Sequence, residues 1–276
     1  IRGADGELHE TSWPEAIAFA AAGLKDKRAG VLVGGRTTVE DAYGYSKFAR
    51  VALGTNDIDF RARPHSDEET SFLSRVALNL KTTYKDIDVA DQVVLLGFEP
   101  EEESPIVFLR IYKQVSKRAL PVLSDAPFAS RGSEKLGAVL ISDLSKIANL
   151  TTKSVVIVGE RLAETRGAFS SVYELINKSG AKLAWIPRRS GEPGALAAGA
   201  IPTLLPGGRP VTDPAARVDV AAAWSVESLP TSQGRSTSEI LLALNVKNLD
   251  AVVIGGVDPL DISSTALTQL LNSFVV

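Results

Sequence analysis

Four short apolar runs, each ending in glycine, constrain this chain more than anything else in it: GVLVGG at residues 30–35, VVLLG at 93–97, SVVIVG at 154–159 and AVVIGG at 251–256. Each contains three or four consecutive Val, Leu or Ile residues, too few for a helix and with no polar alternation. A strand without a polar face is buried on both sides, as in parallel sheets covered by helices. Helical patterns fill the intervals. Ser12-Trp13-Pro14-Glu15 reads as a helix start, with Ser12 as N-cap and Pro14 in the first turn, and apolar spacing continues to Leu24. A second helix is expected after Thr37 or Thr38, with Glu40 and Asp41 in its first turn and Gly54 as a left-handed stop. Later come a helix from about Ser104 to Lys117, the strand LPVLSDAP, a helix reaching Lys178 and the strand KLAWIP. This alternation predicts an α/β fold built on parallel sheet.

The stretch RRSGEPGALAAGAIPTLLPGGR, residues 188–209, interrupts the pattern. Its Gly and Pro content predicts an extended, irregular surface segment.

Composition excludes several function classes. A net charge of -3 argues against a general nucleic-acid surface. No apolar run approaches the roughly 20 residues of a membrane helix. The opening IRGADGELHE is neither a signal nor a transit peptide. The absence of cysteine removes thiolates for iron–sulfur clusters, Cys-type zinc sites, nucleophilic catalysis and disulfides. Two histidines, His9 and His65, are too few for a histidine-rich metal site. With no methionine either, the chain is read as an excised piece of a longer protein.

Candidate chemistry is confined to a few clusters. The glycine turns at Gly34-Gly35, Gly97, Gly159 and Gly255-Gly256 stand at strand ends, where α/β sheets bind ligands. None matches a dinucleotide or phosphate-loop signature, so ordinary turn chemistry is the simpler reading. Glu99, Glu101, Glu102 and Glu103 suit either a magnesium site or a solvated, dipole-matched helix start; the second is expected. Arg188 and Arg189 could clamp a phosphate, face water or pair with acids of a partner. In TNDIDFRARPHSDE, residues 55–68, the side chains of Arg61, Arg63 and His65 suggest an anion pocket. Asp57 and Asp59 lie close enough in sequence to neutralise those arginines, which makes a salt-bridged turn the expectation.

Longer phrases carry a resemblance. ETSWPEAIAFAAAGL, TVEDAYGYSKFARVALGTNDIDFRARPHS, VVLLGFEPEEESPIVFLRI, APFASRG, VVIVGERLAE, WIPRRSGEPGALAAGAIPTLLPGGRPV and VVIGGVDP together resemble the molybdopterin oxidoreductase superfamily. The branch they resemble most is the one built into respiratory complex I, the NADH-quinone oxidoreductases. In formate-dehydrogenase-like members, the stretch matching LGTNDIDFRARPHS carries a cysteine or selenocysteine that ligates molybdenum, directly before a histidine. Here that position is Pro64, ahead of His65.

The resemblance therefore implies Rossmann-like lobes kept after their chemistry was lost. Arg63, Pro64, His65 and Arg188 are the candidate residues of a vacated cofactor pocket, with no catalytic residue and no metal ligand. It also implies that iron–sulfur clusters belong to a cysteine-rich N-terminal region outside this stretch, and that no cofactor is held here. The implied partners are other subunits of the complex I peripheral arm on the cytoplasmic side of the membrane, with no nucleic acid and no membrane insertion. Residues 1–72 and 151–276 are expected to form one lobe, and 73–150 an inserted dinucleotide-fold-like lobe. Two alternatives are an oxidoreductase domain that still binds a molybdopterin-type cofactor, motivated by the glycine turns and Arg188-Arg189, and a plain nucleotide-binding module.

Overall fold

The four apolar runs become strands of two separate sheets. The computed structural model describes residues 1–3, 5–271 and 273–276. The strands, in chain order, are β1 (Ala29–Val33), β2 (Ile58–Asp59), β3 (Val93–Leu96), β4 (Val122–Asp125), β5 (Val139–Ile141), β6 (Val155–Gly159), β7 (Lys182–Ile186), β8 (Leu204–Leu205), β9 (Arg209–Pro210), β10 (Ala251–Gly255) and β11 (Phe274–Val275). The chain divides into one unit of Ile1–Pro64 with Gly194–Val276 and a second of His65–Pro193.

In the first unit the sheet order is β11-β10-β1-β2, with every pairing parallel. β1 and β10 run in register, Val31 opposite Val253, and β1 is buried along its whole length. Leu32 and Val252 pack with Ile240, Leu241 and Leu244 of the helix Thr237–Asn245 to form the core on one face. The local signals act as the sequence suggests. Ser12 caps α1 (Trp13–Leu24) in a capping box with Glu15, and Thr38 caps α2 (Val39–Val51) by accepting from the Asp41 amide. α2 ends at Val51, and the left-handed turn follows at Gly54, φ +64°.

In the second unit the sheet order is β5-β4-β3-β6-β7, again wholly parallel. The chain starts at the central β3, winds outward to β4 and β5, then returns to the other side of β3 as β6 and β7. That is the doubly wound order, and its switch point lies between β3 and β6. The boundary expected at residue 151 therefore moves to about 193, because β6 and β7 extend the sheet begun by β3. β6 is buried on both faces and so carries no mark of which sheet it joins, and the alternating burial of β7 does not say which sheet it borders, so sequence alone could not place these two.

At the switch point two glycine backbones pass closely. Gly97 has φ +57°, and a Cβ there would lie 2.5 Å from the Leu162 amide nitrogen. A Cβ on Gly159 would lie 2.3 Å from the Gly97 carbonyl oxygen. Gly97→Ala combines an unfavourable φ with a backbone clash, so it should lower the unfolding free energy by about 2 kcal/mol. Urea unfolding within experimental error of the parent chain would show that the turn relaxes without strain.

The segment 188–209 corrects the sequence expectation. It contains the helix Glu192–Ala197 and the antiparallel pair β8–β9. Ala195, Leu196, Ala198, Ala200, Ile201, Leu204 and Leu205 are all buried. Alanine and glycine resemble loop composition, but their small size is what lets this backbone pack into a core.

Candidate functional site

The stretch around Pro64 is built from β2 onward. Ile58, Asp59, Phe60 and Arg61 are wholly buried, and Arg63 is 2% exposed. Asp59 Oδ1 accepts from the Arg61 amide and from Nε, both at 3.0 Å, while Oδ2 accepts from Arg61 Nη2 at 2.7 Å. The amide of Thr237, at the start of the helix Thr237–Asn245, also donates to Oδ2 at 3.0 Å. Asp59 thus ties β2 to that helix as well as holding Arg61.

The expected salt-bridged turn is present for Asp59 with Arg61, but Asp57 does something else. Its two oxygens accept from the Arg235 amide at 2.7 Å and from Arg235 Nη1 at 2.6 Å. Arg235 lies 178 residues away in sequence, beyond the reach of local spacing. Arg63 turns back on its own turn, Nη1 donating to the Pro64 carbonyl at 3.1 Å. Arg63 and Pro64 belong to the first unit, His65 and Arg188 to the second.

A residue absent from the sequence reading dominates this part of the first unit. Arg50, on α2, is 2% exposed. Its guanidinium donates to Asn56 Oδ1 at 2.8 Å, Ser46 Oγ at 2.6 Å, and the carbonyls of Gly199 at 3.0 Å and Leu204 at 2.7 Å. Burial pulls its pKa down to about 10, which leaves it charged at neutral pH. An arginine inside SKFARV reads as a solvent-facing helix residue; only its distant acceptors reveal the role.

In the second unit the four-glutamate stretch follows β3. Glu99 caps the helix Pro100–Glu103 and accepts from the Ser130 hydroxyl, and Glu101 pairs with Lys135. Glu103 meets Arg161 Nη2 at 2.6 Å and Arg188 Nη2 at 3.8 Å. Arg188 and Arg189 both approach Glu160, at 3.8 and 3.7 Å, and the Arg188 amide donates to it at 3.2 Å. Only Glu102 has the exposed position expected of a solvated helix start; the other three acids are engaged by hydroxyl or cationic partners. The two arginines likewise face acids of their own chain. Among the described residues no group of three His, Asp or Glu could hold a metal ion.

A cleft of about 850 Å³ opens at the carboxyl ends of this sheet, lined by Gly97, Phe98, Ser124, Asp125, Phe128 and Arg161. Burial raises the Asp125 carboxyl above its ordinary range. In the first unit a groove of about 790 Å³ lies at the equivalent edge, with Arg36, Tyr45, Phe48, Gly255 and Gly256 on its walls.

Comparison with known proteins agrees with this architecture. A molybdopterin oxidoreductase family model matches residues 1–166. The G subunit of NADH-quinone oxidoreductase from Mycobacterium tuberculosis is 50% identical over 275 residues, covering 93% of this chain and 34% of the relative. Its counterpart from Streptomyces coelicolor is 45% identical, covering 95% of this chain and 36% of the relative. Formate dehydrogenase H of Escherichia coli is 25% identical, covering 92% of this chain and 47% of the relative. The chain thus spans about a third of the length of the NADH-quinone oxidoreductase relatives it matches. With the family model covering more than half of its residues, the chain belongs to the molybdopterin oxidoreductase family.

Proposed function

We propose that this chain is a structural piece of the G subunit of an NADH-quinone oxidoreductase and holds no redox centre of its own. It packs among the other subunits of the peripheral arm, on the cytoplasmic face of the membrane. Among the described residues no helix is long and apolar enough to cross a membrane.

The observation that carries this reading is the chemistry at Pro64. In the formate-dehydrogenase-like members this stretch resembles, the molybdenum donor is a thiolate or selenolate, and proline offers no side-chain donor at all. The chain has no cysteine to substitute from elsewhere. The neighbouring cations are engaged internally: Arg61 is locked to Asp59, and Arg63 donates to the Pro64 carbonyl. The residues present do not fit a molybdenum ligated by a thiolate or selenolate.

A second reading, a molybdopterin-type cofactor held without a protein ligand, is favoured by the clefts at the carboxyl ends of the two sheets. Molybdenum, tungsten and pterin content of the parent complex, purified from its native host, separates the two. Substoichiometric metal and pterin is the expected result. A full equivalent of either metal with pterin would reassign Arg63, His65 and Arg188 as cofactor contacts.

A further inference from the structure

Among the helices of the first unit, α1 is built wrongly for a solvent-facing position. A surface helix pairs an apolar stripe with a polar face, whereas a helix apolar all round belongs in an interior. α1 reads WPEAIAFAAAGL, and Leu24 is its one buried residue. Ala16, Ala20 and Gly23 are half-buried on the inward side, yet the outward side is Pro14, Ile17, Ala18, Ala21 and Ala22, all exposed and all apolar. Trp13 is 82% and Ile17 63% exposed. The single polar side chain, Glu15, is occupied at the helix start, accepting from the Thr11 and Ser12 hydroxyls at 2.8 Å each.

We infer that the outward face of α1 is a docking surface for other parts of the same polypeptide, an inference that rests on the chain being a piece of a longer G subunit. The occupant is apolar and approaches closely, because Ala18, Ala21 and Ala22 offer no side chain beyond a methyl and no charge to be matched. Most of the length of the NADH-quinone oxidoreductase relatives lies outside the stretch matched here, which supplies the chain to cover it. The inward side of α1 already shows that mode of packing. Phe19 lies against Phe274 of the edge strand β11, ring centroids 5.7 Å apart, and a Cβ on Gly23 would strike the same ring. The helix is thus seated on the edge of the sheet through bare backbone, and its outward alanines present the same kind of surface to a second layer.

Hydroxyl-radical footprinting of the parent polypeptide from its native host tests this, comparing oxidation of Trp13 and Ile17 in the native and urea-unfolded protein. A bare face oxidises within about twofold of the unfolded chain, and a covered one at least about tenfold more slowly. Tenfold protection that persists after the polypeptide is separated from its complex is the expected result. Unfolded-like oxidation overturns the inference. Protection lost on separation also overturns it and assigns the face to a partner protein; protection that rises with protein concentration assigns it to a second copy. The mass of the native polypeptide distinguishes the failures. A polypeptide of only about 29.3 kDa removes the proposed function itself, whereas a longer one with α1 bare removes this inference alone.

Discussion

Arg50→Met should lower the unfolding free energy of this chain by about 3–5 kcal/mol, with a fall in the urea midpoint and little change in slope. Methionine replaces the aliphatic stem and much of the volume, so packing loss is a minor part of the effect. The major part is what the guanidinium leaves behind. The carbonyls of Gly199, Ile201 and Leu204 all accept from Arg50, as does Asn56 Oδ1, and the site is closed to water at Arg50 itself. Each buried acceptor stripped of its donor costs about 1–3 kcal/mol. Arg50→Lys keeps the charge but replaces a planar fork of five donors by a compact ammonium with three. It cannot reach carbonyls on both sides of the fork, so it should fall between the two. If Arg50→Met unfolds within about 1 kcal/mol of the parent, water or a backbone shift must satisfy these carbonyls. The segment 199–204 would then hold its shape without the arginine.

That segment marks where sequence reading stops. Strand positions and helix starts were legible because their causes are local: a run of Val and Ile from 155 to 158, a Ser12 hydroxyl three residues before Glu15, a Thr38 hydroxyl before Asp41. Sheet membership was not, since β6 pairs with β3 across the whole of the intervening β4 and β5 excursion. The buried course of residues 194–205 was hidden for a different reason. Alanine and glycine there are interior because of what packs on them, and composition reports only that they are small. The candidate site divided along the same line. Asp59 with Arg61, two residues apart, was within reach; Asp57 with Arg235 and Arg50 with Gly199 depend on how the chain returns after residue 194.

The pair that was legible supports the other large expected effect. Asp59→Asn should destabilise the chain by about 3–5 kcal/mol, although it changes one atom and almost no volume. Both partners have fully buried side chains. The carboxylate takes two bonds from the Arg61 side chain, one from the Arg61 amide and one from the Thr237 amide. An amide in its place turns one oxygen into an NH₂ aimed at N–H donors and removes the negative charge that Asp59 sets against Arg61. Arg61→Met should cost a similar amount for the mirror reason, a buried carboxylate stripped of the two bonds it takes from the Arg61 side chain. The double variant removes both charges, so it should be less destabilised than the sum of the singles by about 2 kcal/mol or more. Additive losses would mean that Arg61 is held mainly by groups other than Asp59. In that event Asp59 would not be what occupies the Arg61 charge, and the vacated-pocket reading would rest on Pro64 and on Arg63 without this pair beside them.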